Sequence, residues 1–277
     1  MTFALYSATA RPQPIKVRKV MSSPAGRSIS PIRGPLLLPF AALPLPLLPS
    51  TDDYVGTRKL DARRHTGPMA QYFIIHPTHP QQRLIDQAVE IVRRGGLIVY
   101  PTDSCYALGC HIGDKESMER MRAIRQVDSR HHFTLVCRDL SELGRYARVD
   151  NRAYRLLKAA TPGSYTFLLQ ATREVPRRLQ NPRRKTIGLR IPAHPVAQAL
   201  LAGLQEPVLS STLIMPGEAL PLNDPDEIRS RLEHQVDLVM DAGSCGLEVT
   251  TVVDLTSEEP EIVRLGKGDP AVFGVTA

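Results

Sequence analysis

YPTDSCYALGC, residues 100–110, decides how this chain is read. The run Leu97-Ile98-Val99-Tyr100 leading into it has the apolar continuity of a strand covered on both faces. At Pro101 the run gives way abruptly to Thr102, Asp103, Ser104 and Cys105. A buried strand ending on a row of hydrogen-bonding side chains is what the wall of a binding site looks like, because ligands of open α/β sheets collect beyond strand ends.

Outward from this stretch the pattern is mixed. Upstream lie a short strand at 71–76 and a helix opened by Pro80, with Leu84, Ala88, Ile91 and Val92 on one face and Gly95-Gly96 as its stop. Downstream, Asp114 caps a helix over 114–126, and further helices are predicted at 140–147, 151–160, 194–204 and 224–234. Strands are predicted at 133–137, 165–169, 187–191, 207–211, 236–240, 250–255 and 261–264. The order lacks a regular βα alternation and shows no internal repeat, so we expect one α/β domain on a large mixed sheet, running from 69 to the C-terminal end at 277.

Composition divides the chain. The 277 residues carry a formal charge of +7, and residues 1–68 supply all of it with ten Lys/Arg against three Asp. From Met69 onward 25 basic residues balance 25 acidic ones, which removes overall charge as an argument for nucleic acid and leaves only local patches. Residues 1–68 also hold ten of the 24 prolines, including PLLLPFAALPLPLLP at 35–49. Proline at that density removes backbone donors, so a disordered, Pro-rich basic extension is expected there, with no membrane span. Of a transit peptide and an over-long reading frame with Met69 as the true start, the second is the expectation.

Cys105, Cys110, Cys137 and Cys245 form no CxxC pair, which fits a reducing, cytoplasmic setting. Cys110-His111 and the His76/His79 pair lack zinc-site spacing, so core thiols, surface imidazoles and no metal site are expected. Cys105 has no His and Asn/Asp partners assignable by spacing, and packing is its expected role.

Neither GxxxxGK[ST] nor GxGxxG occurs, so a bound anion must be met by side chains. Met118, Met121, Arg122 and Arg125 fall at the i, i+3, i+4, i+7 spacing of one helix face. The two guanidiniums there either face the protein body and need anionic or polar partners, or extend outward over apolar neighbours; the spacing leaves both open. Hydroxyls cluster at the predicted strand ends: Thr102 and Ser104, Thr166, Ser210-Ser211-Thr212, and Thr250-Thr251. With Arg190 and Arg264 they can build an anion-binding cavity, although each alone is an ordinary strand-end residue.

These residues also carry a resemblance. YPTDSCYALGC resembles the YPTET-x-YGLG stretch of the YrdC/YciO family. Pro162-Gly163-Ser164-Tyr165-Thr166 is similar to the family's PGPxT, Arg190-Ile191-Pro192 to its RxP, Thr250-Thr251-Val252-Val253-Asp254 to its STVVD, and Arg264-Leu265-Gly266 to its RxG. Five matches in order run from Met69 almost to the C-terminus, and RRKTIGLRIP and TPGSYTFLL resemble the YciO branch in particular.

The resemblance implies a twisted mixed β-sheet with flanking helices around a concave, positive cavity that takes ATP with Mg2+, L-threonine and bicarbonate. The implied activity is that of a nucleotidyltransferase making threonylcarbamoyl-AMP and pyrophosphate for the t6A modification of tRNA. Carried over by position, Arg125 and Thr212 are the catalytic residues, and Arg122, Arg125, Thr166, Ser210, Thr212, Thr250 and Arg264 bind the nucleotide. Thr102 and Arg190 bind threonine. Double-stranded RNA and tRNA-modification proteins are the implied macromolecular partners. Two other functions stay open: a paralogue acting on a different adenylated substrate, and a noncatalytic RNA- or ribosome-associated module. The chain departs from the family twice. KxR becomes Arg125-Gln126-Val127, which loses a cation, and SxN becomes Thr212-Leu213-Ile214, which replaces an amide by hydrocarbon; Arg122, Arg130, His131 or His132 is the expected stand-in.

Overall fold

The computed structural model describes residues 69–128 and 131–274. The expectations for residues 1–68, and for Arg130 as a stand-in for the lost cation, lie outside the described residues. Among those described, ten strands form one sheet: β1 (Gln71–Ile74), β2 (Ile98–Tyr100), β3 (Ala107–His111), β4 (Thr134–Val136), β5 (Tyr165–Gln170), β6 (Thr186–Arg190), β7 (Val208–Thr212), β8 (Leu238–Asp241), β9 (Thr251–Asp254) and β10 (Glu261–Arg264). Their spatial order is β1-β8-β2-β3-β7-β4-β6-β5-β9-β10, with parallel and antiparallel neighbours mixed as predicted. Six helices flank the sheet: α1 (Gln82–Arg93), α2 (Lys115–Arg125), α3 (Leu140–Tyr146), α4 (Asn151–Ala160), α5 (Pro195–Leu204) and α6 (Pro225–Leu232). No helix among the described residues is long and apolar enough to cross a membrane.

Side-chain alternation along the strands makes the two faces of this sheet different. One face buries Leu135, Phe167, Leu189, Leu209 and Val253 against Met118 and Met121 of α2, Leu157 of α4 and Leu232 of α6. On the other face α1 and α5 pack together over one side only, burying Ile98, Tyr100, Leu238 and Met240 with Ile85, Val89, Leu200 and Leu201. On that face Val208 of β7 and Val136 of β4 still pack into this cluster, while Ser210 of β7, Thr134 of β4, Gly188 of β6, Thr166 of β5 and Val252 of β9 line a cavity.

Local chemistry explains why these elements form and where they stop. Asp114 caps α2 by accepting hydrogen bonds from the backbone N–H of Glu116 and Ser117, at 2.8 and 3.1 Å. The helix ends where Gln126 adopts the left-handed conformation, with Arg122 and Arg125 at the negative end of its dipole. Two expectations are corrected. The buried face of α1 is Ile85, Ala88, Val89 and Val92, with Leu84 and Ile91 only partly covered. Gly203 of α5 lets that helix approach α1 until a Cβ there would stand 2.8 Å from the Val89 side chain. The quoted stretch does end a buried strand, β2 at Tyr100, but it then turns back through 101–106 into β3 before the next helix, making an antiparallel hairpin with Ile98 opposite Gly109 and Tyr100 opposite Ala107.

Candidate functional site

The cavity floor is built by register. Thr134 of β4 pairs with Gly188 of β6 and with Ser210 of β7, Gly188 pairs with Leu168 of β5, and Thr166 with Val252 of β9. All lie on the uncovered face, so its floor is hydroxyls, one glycine and short aliphatics. A Cβ on Gly188 would come within 3.3 Å of Thr134 Oγ1 and 3.5 Å of Thr166 Cγ2, so glycine keeps the centre of the floor low. The cavity holds about 260 Å³.

Three guanidiniums reach into it from different directions. Arg125, from the last turn of α2, donates through Nη1 to the carbonyls of Thr212 and Ile214, at 2.6 and 2.8 Å. Arg264, ending β10, donates through Nη2 to the Thr250 carbonyl at 2.9 Å and to Thr250 Oγ1 at 3.2 Å. Thr250 Oγ1 and Thr166 Oγ1 are in turn 2.8 Å apart. Glycine at 266 lets the chain after β10 press onto the strand before it: a Cβ there would overlap the Val249 carbonyl and Thr250. The third, Arg190, is buried and donates through Nη2 to Asp103 Oδ1 at 2.6 Å.

That pair is itself braced. Ser164 Oγ donates to Asp103 Oδ2 at 2.6 Å and the Ala193 N–H to Oδ1 at 3.1 Å. Burial alone would raise the Asp103 carboxyl, but the Arg190 charge and the Ser164 hydrogen bond outweigh it and hold the group below its ordinary value. Among the described residues Arg125 and Arg264 have no such partner: backbone carbonyls, and for Arg264 the Thr250 hydroxyl, accept from them without neutralising their charge, and Arg125 Nε is buried with no acceptor. Burial lowers the proton affinity of both, although a guanidinium still stays protonated in water. The lining thus presents two uncompensated positive charges over a row of hydroxyls. Buried, uncompensated charge is costly, and an anion relieves it.

Of the nine residues predicted, seven line this cavity: Arg125, Thr166, Arg190, Ser210, Thr212, Thr250 and Arg264. Two, Thr102 and Arg122, do not. Thr102 is buried behind the lining, where its hydroxyl donates to the Cys105 carbonyl at 2.6 Å, accepts from the N–H of Ser104 and Cys105, and receives Arg190 Nη2 at 3.4 Å. It shapes the hairpin turn. Arg122 faces Glu119 at 2.6 Å and stacks over the Phe133 ring in an adjoining groove, so Arg122 and Arg125 do not share a site. The hydroxyls are also placed differently from expectation, because Thr166 and Ser210 lie within strands on an open sheet face, not beyond strand ends.

Thr134 and Gly188 were missed as site residues, although polar or small residues at every second position of strands whose other positions are Leu, Ile or Phe signalled them; His131, read only as a stand-in for the lost cation, lines the cavity, and Asp103 of the quoted stretch holds Arg190. Burial, then the nearby Arg125 charge, pushes His131 down to about 4, so this imidazole is neutral near pH 7. Burial raises the Cys105 thiol, which therefore stays protonated and agrees with a packing role. Ile214 lines the cavity at the position of the departed amide.

Comparison with known proteins gives a consistent picture. The family model Sua5_yciO_yrdC, described as telomere recombination, matches residues 90–266. The uncharacterized protein YciO of Escherichia coli (strain K12) is 60% identical over 205 residues, covering 74% of this chain and 100% of its own. The crystal structure of E. coli YciO superposes with a TM-score of 0.72 over the same shares of the two chains. A threonylcarbamoyl-AMP synthase of Chromobacterium violaceum is 34% identical over 143 residues, 51% of this chain and 74% of that one. P. abyssi Sua5 complexed with L-threonine shares the fold, with a TM-score of 0.65 at 22% identity over 70% of this chain and 57% of that one.

Proposed function

This chain belongs to the Sua5/YciO/YrdC family, and from that premise we propose that its cavity binds ATP and runs adenylate-forming chemistry of the threonylcarbamoyl-AMP synthase kind. One observation carries the reading: Arg125 and Arg264, without a carboxylate partner among the described residues, converge on a shared hydroxyl-lined floor. A nucleotide's phosphates match that charge. In this reading the threonine amine is carboxylated by bicarbonate with loss of water, and the new carbamate oxygen attacks the α-phosphorus, breaking its bond to the bridging oxygen so that pyrophosphate leaves. The protein contributes position and charge. Arg125 and Arg264 neutralise phosphate oxygens, Thr166, Thr250, Ser210 and Thr212 orient them, and Arg190, held by Asp103, presents a fixed guanidinium edge to the threonine carboxylate. The lining has no carboxylate free to hold Mg2+, and no group of three metal-ligating side chains occurs among the described residues. Mg2+ therefore enters with the phosphates that bind it.

Incubation of the full chain with ATP, L-threonine and bicarbonate is expected to yield pyrophosphate and a threonylcarbamoyl adenylate, and Arg264→Ala is expected to lower the yield at least tenfold. Product formation that persists unchanged in Arg264→Ala overturns the reading. A second reading is favoured by Ile214 at the cavity wall and by Val127 where the family motif has a cation. It keeps the nucleotide cavity and assigns it a different adenylated substrate. Release of AMP from adenylated compounds without threonine, together with no threonine-dependent pyrophosphate, supports it.

A further inference from the structure

A second basic region lies outside the cavity, hidden by the charge balance of the domain. The connection between β5 and β6 contains REVPRRLQNPRRK, residues 173–185, with six cations against the one carboxylate of Glu174. It is ordered by its own backbone: Asn181 Oδ1 accepts from the N–H of Arg183 and Arg184 at 3.0 and 2.9 Å, and the Lys185 N–H donates to the Asn181 carbonyl at 2.8 Å. This loop and the 131–133 stretch form the two sides of a groove of about 780 Å³, and the 131–133 stretch is also a wall of the cavity. Asn181 Nδ2 and His132 Nε2, 3.1 Å apart, join the two sides.

The cations in this groove are largely uncompensated. Arg178 donates only to the carbonyls of Ile112 and Gly113, at 3.2 and 2.8 Å. Arg177 and Arg183 are exposed and make no ion pair among the described residues. Arg122 has Glu119, but its Nε is buried without a partner. Amides and imidazoles lie between the guanidiniums, in Gln180, Asn181 and His132. Beyond Arg177 the basic surface continues through Arg173 and Lys185. Several fixed guanidiniums, interleaved with groups that hydrogen-bond bases and running further than one nucleotide's phosphates, suit a phosphodiester chain. Because the two sides are joined across the groove, it admits one strand more readily than a duplex.

We propose that this groove binds a single nucleic-acid strand, with its phosphates against Arg122, Arg177, Arg178 and Arg183. The proposal is independent of what the cavity turns over. Its test is fluorescence anisotropy of a labelled 12-nucleotide single-stranded RNA with the full chain across a salt series. Four phosphate contacts predict a slope of log affinity against log salt near about −2.8, from about 0.7 per contact on single strands. The double variant R177E/R183E is expected to bind at least about tenfold more weakly with a slope shallower by about 1.4, and R177Q/R183Q to fall between. R94E/R155E, on an exposed residue just after α1 and an exposed residue of α4, makes the same change in net charge and is expected to bind like the parent. Absence of binding, a parental slope shallower than −1, equal losses in R94E/R155E, full affinity in R177E/R183E, or equal affinity for the matching duplex would each overturn the proposal.

Discussion

One face of one sheet behaves in two ways. Over β1, β8 and β2 it is covered by α1 and α5 and shows Ile98, Tyr100, Leu238 and Met240, all buried. Over β7, β4, β6 and β5 the equivalent positions are Ser210, Thr134, Gly188 and Thr166, and they line a cavity. The strands, spacing and register rules are common to both halves; only the residue at every second position differs. Apolar positions demand a helix over them, whereas hydroxyls tolerate its absence. The site is thus the part of the sheet that the sequence leaves polar, rimmed by cations from α2, β6 and β10.

The comparison can be broken most easily in its covered half. Leu238→Ala leaves a cavity under α1 and α5 and is expected to cost about 2–5 kcal/mol, read by denaturant unfolding, with ATP affinity unchanged while the protein is folded. The open half should respond the other way round. Arg264→Ala is expected to weaken ATP by about 1.5–3 kcal/mol, the range for a hydrogen bond to a charged group, with little loss of stability because no buried carboxylate is abandoned. If Arg264→Ala unfolds the protein, the guanidinium is structural and the contrast fails.

A smaller effect sits on the boundary between halves. The Asp103 carboxyl is held below its ordinary value of 3.8 in the folded chain, so the unfolded chain binds more protons as pH falls past that value. Its stabilisation is fully present above about pH 4 and is lost as pH drops through the folded value. Asp103→Asn should flatten that part of the stability profile below pH 4, and an unaltered acid limb would contradict the paired geometry. The smallest change is expected from Thr166→Ala, about 0.5–1.5 kcal/mol in ATP affinity, measured by titration calorimetry.

Much of this was legible in the sequence. Runs of four or five apolar residues bounded by turns located nine of the ten strands, because burial on at least one face leaves a periodic trace. β3 left none: Ala-Leu-Gly-Cys-His has no β-branched residue, and its strand character comes from pairing on both sides with β2 and β7. Arg125 and Arg264 were readable as cavity residues through motif position. Arg122 was not separable from Arg125 by helical spacing, since the boundary between cavity and groove is the 131–133 stretch, which belongs to another part of the chain. Thr102 carried the right residue type in the right turn, yet its hydroxyl is satisfied internally by Cys105 and Ser104.

The central claim is that Arg125 and Arg264 jointly hold a nucleotide on the open half of the sheet. Titration calorimetry of ATP into the parent chain, Arg264→Ala and Leu238→Ala tests it most directly. Saturable binding at one site per chain, kept in folded Leu238→Ala and weakened at least tenfold in Arg264→Ala, is the predicted result. No heat with the parent chain, or equal affinity in Arg264→Ala, would contradict it.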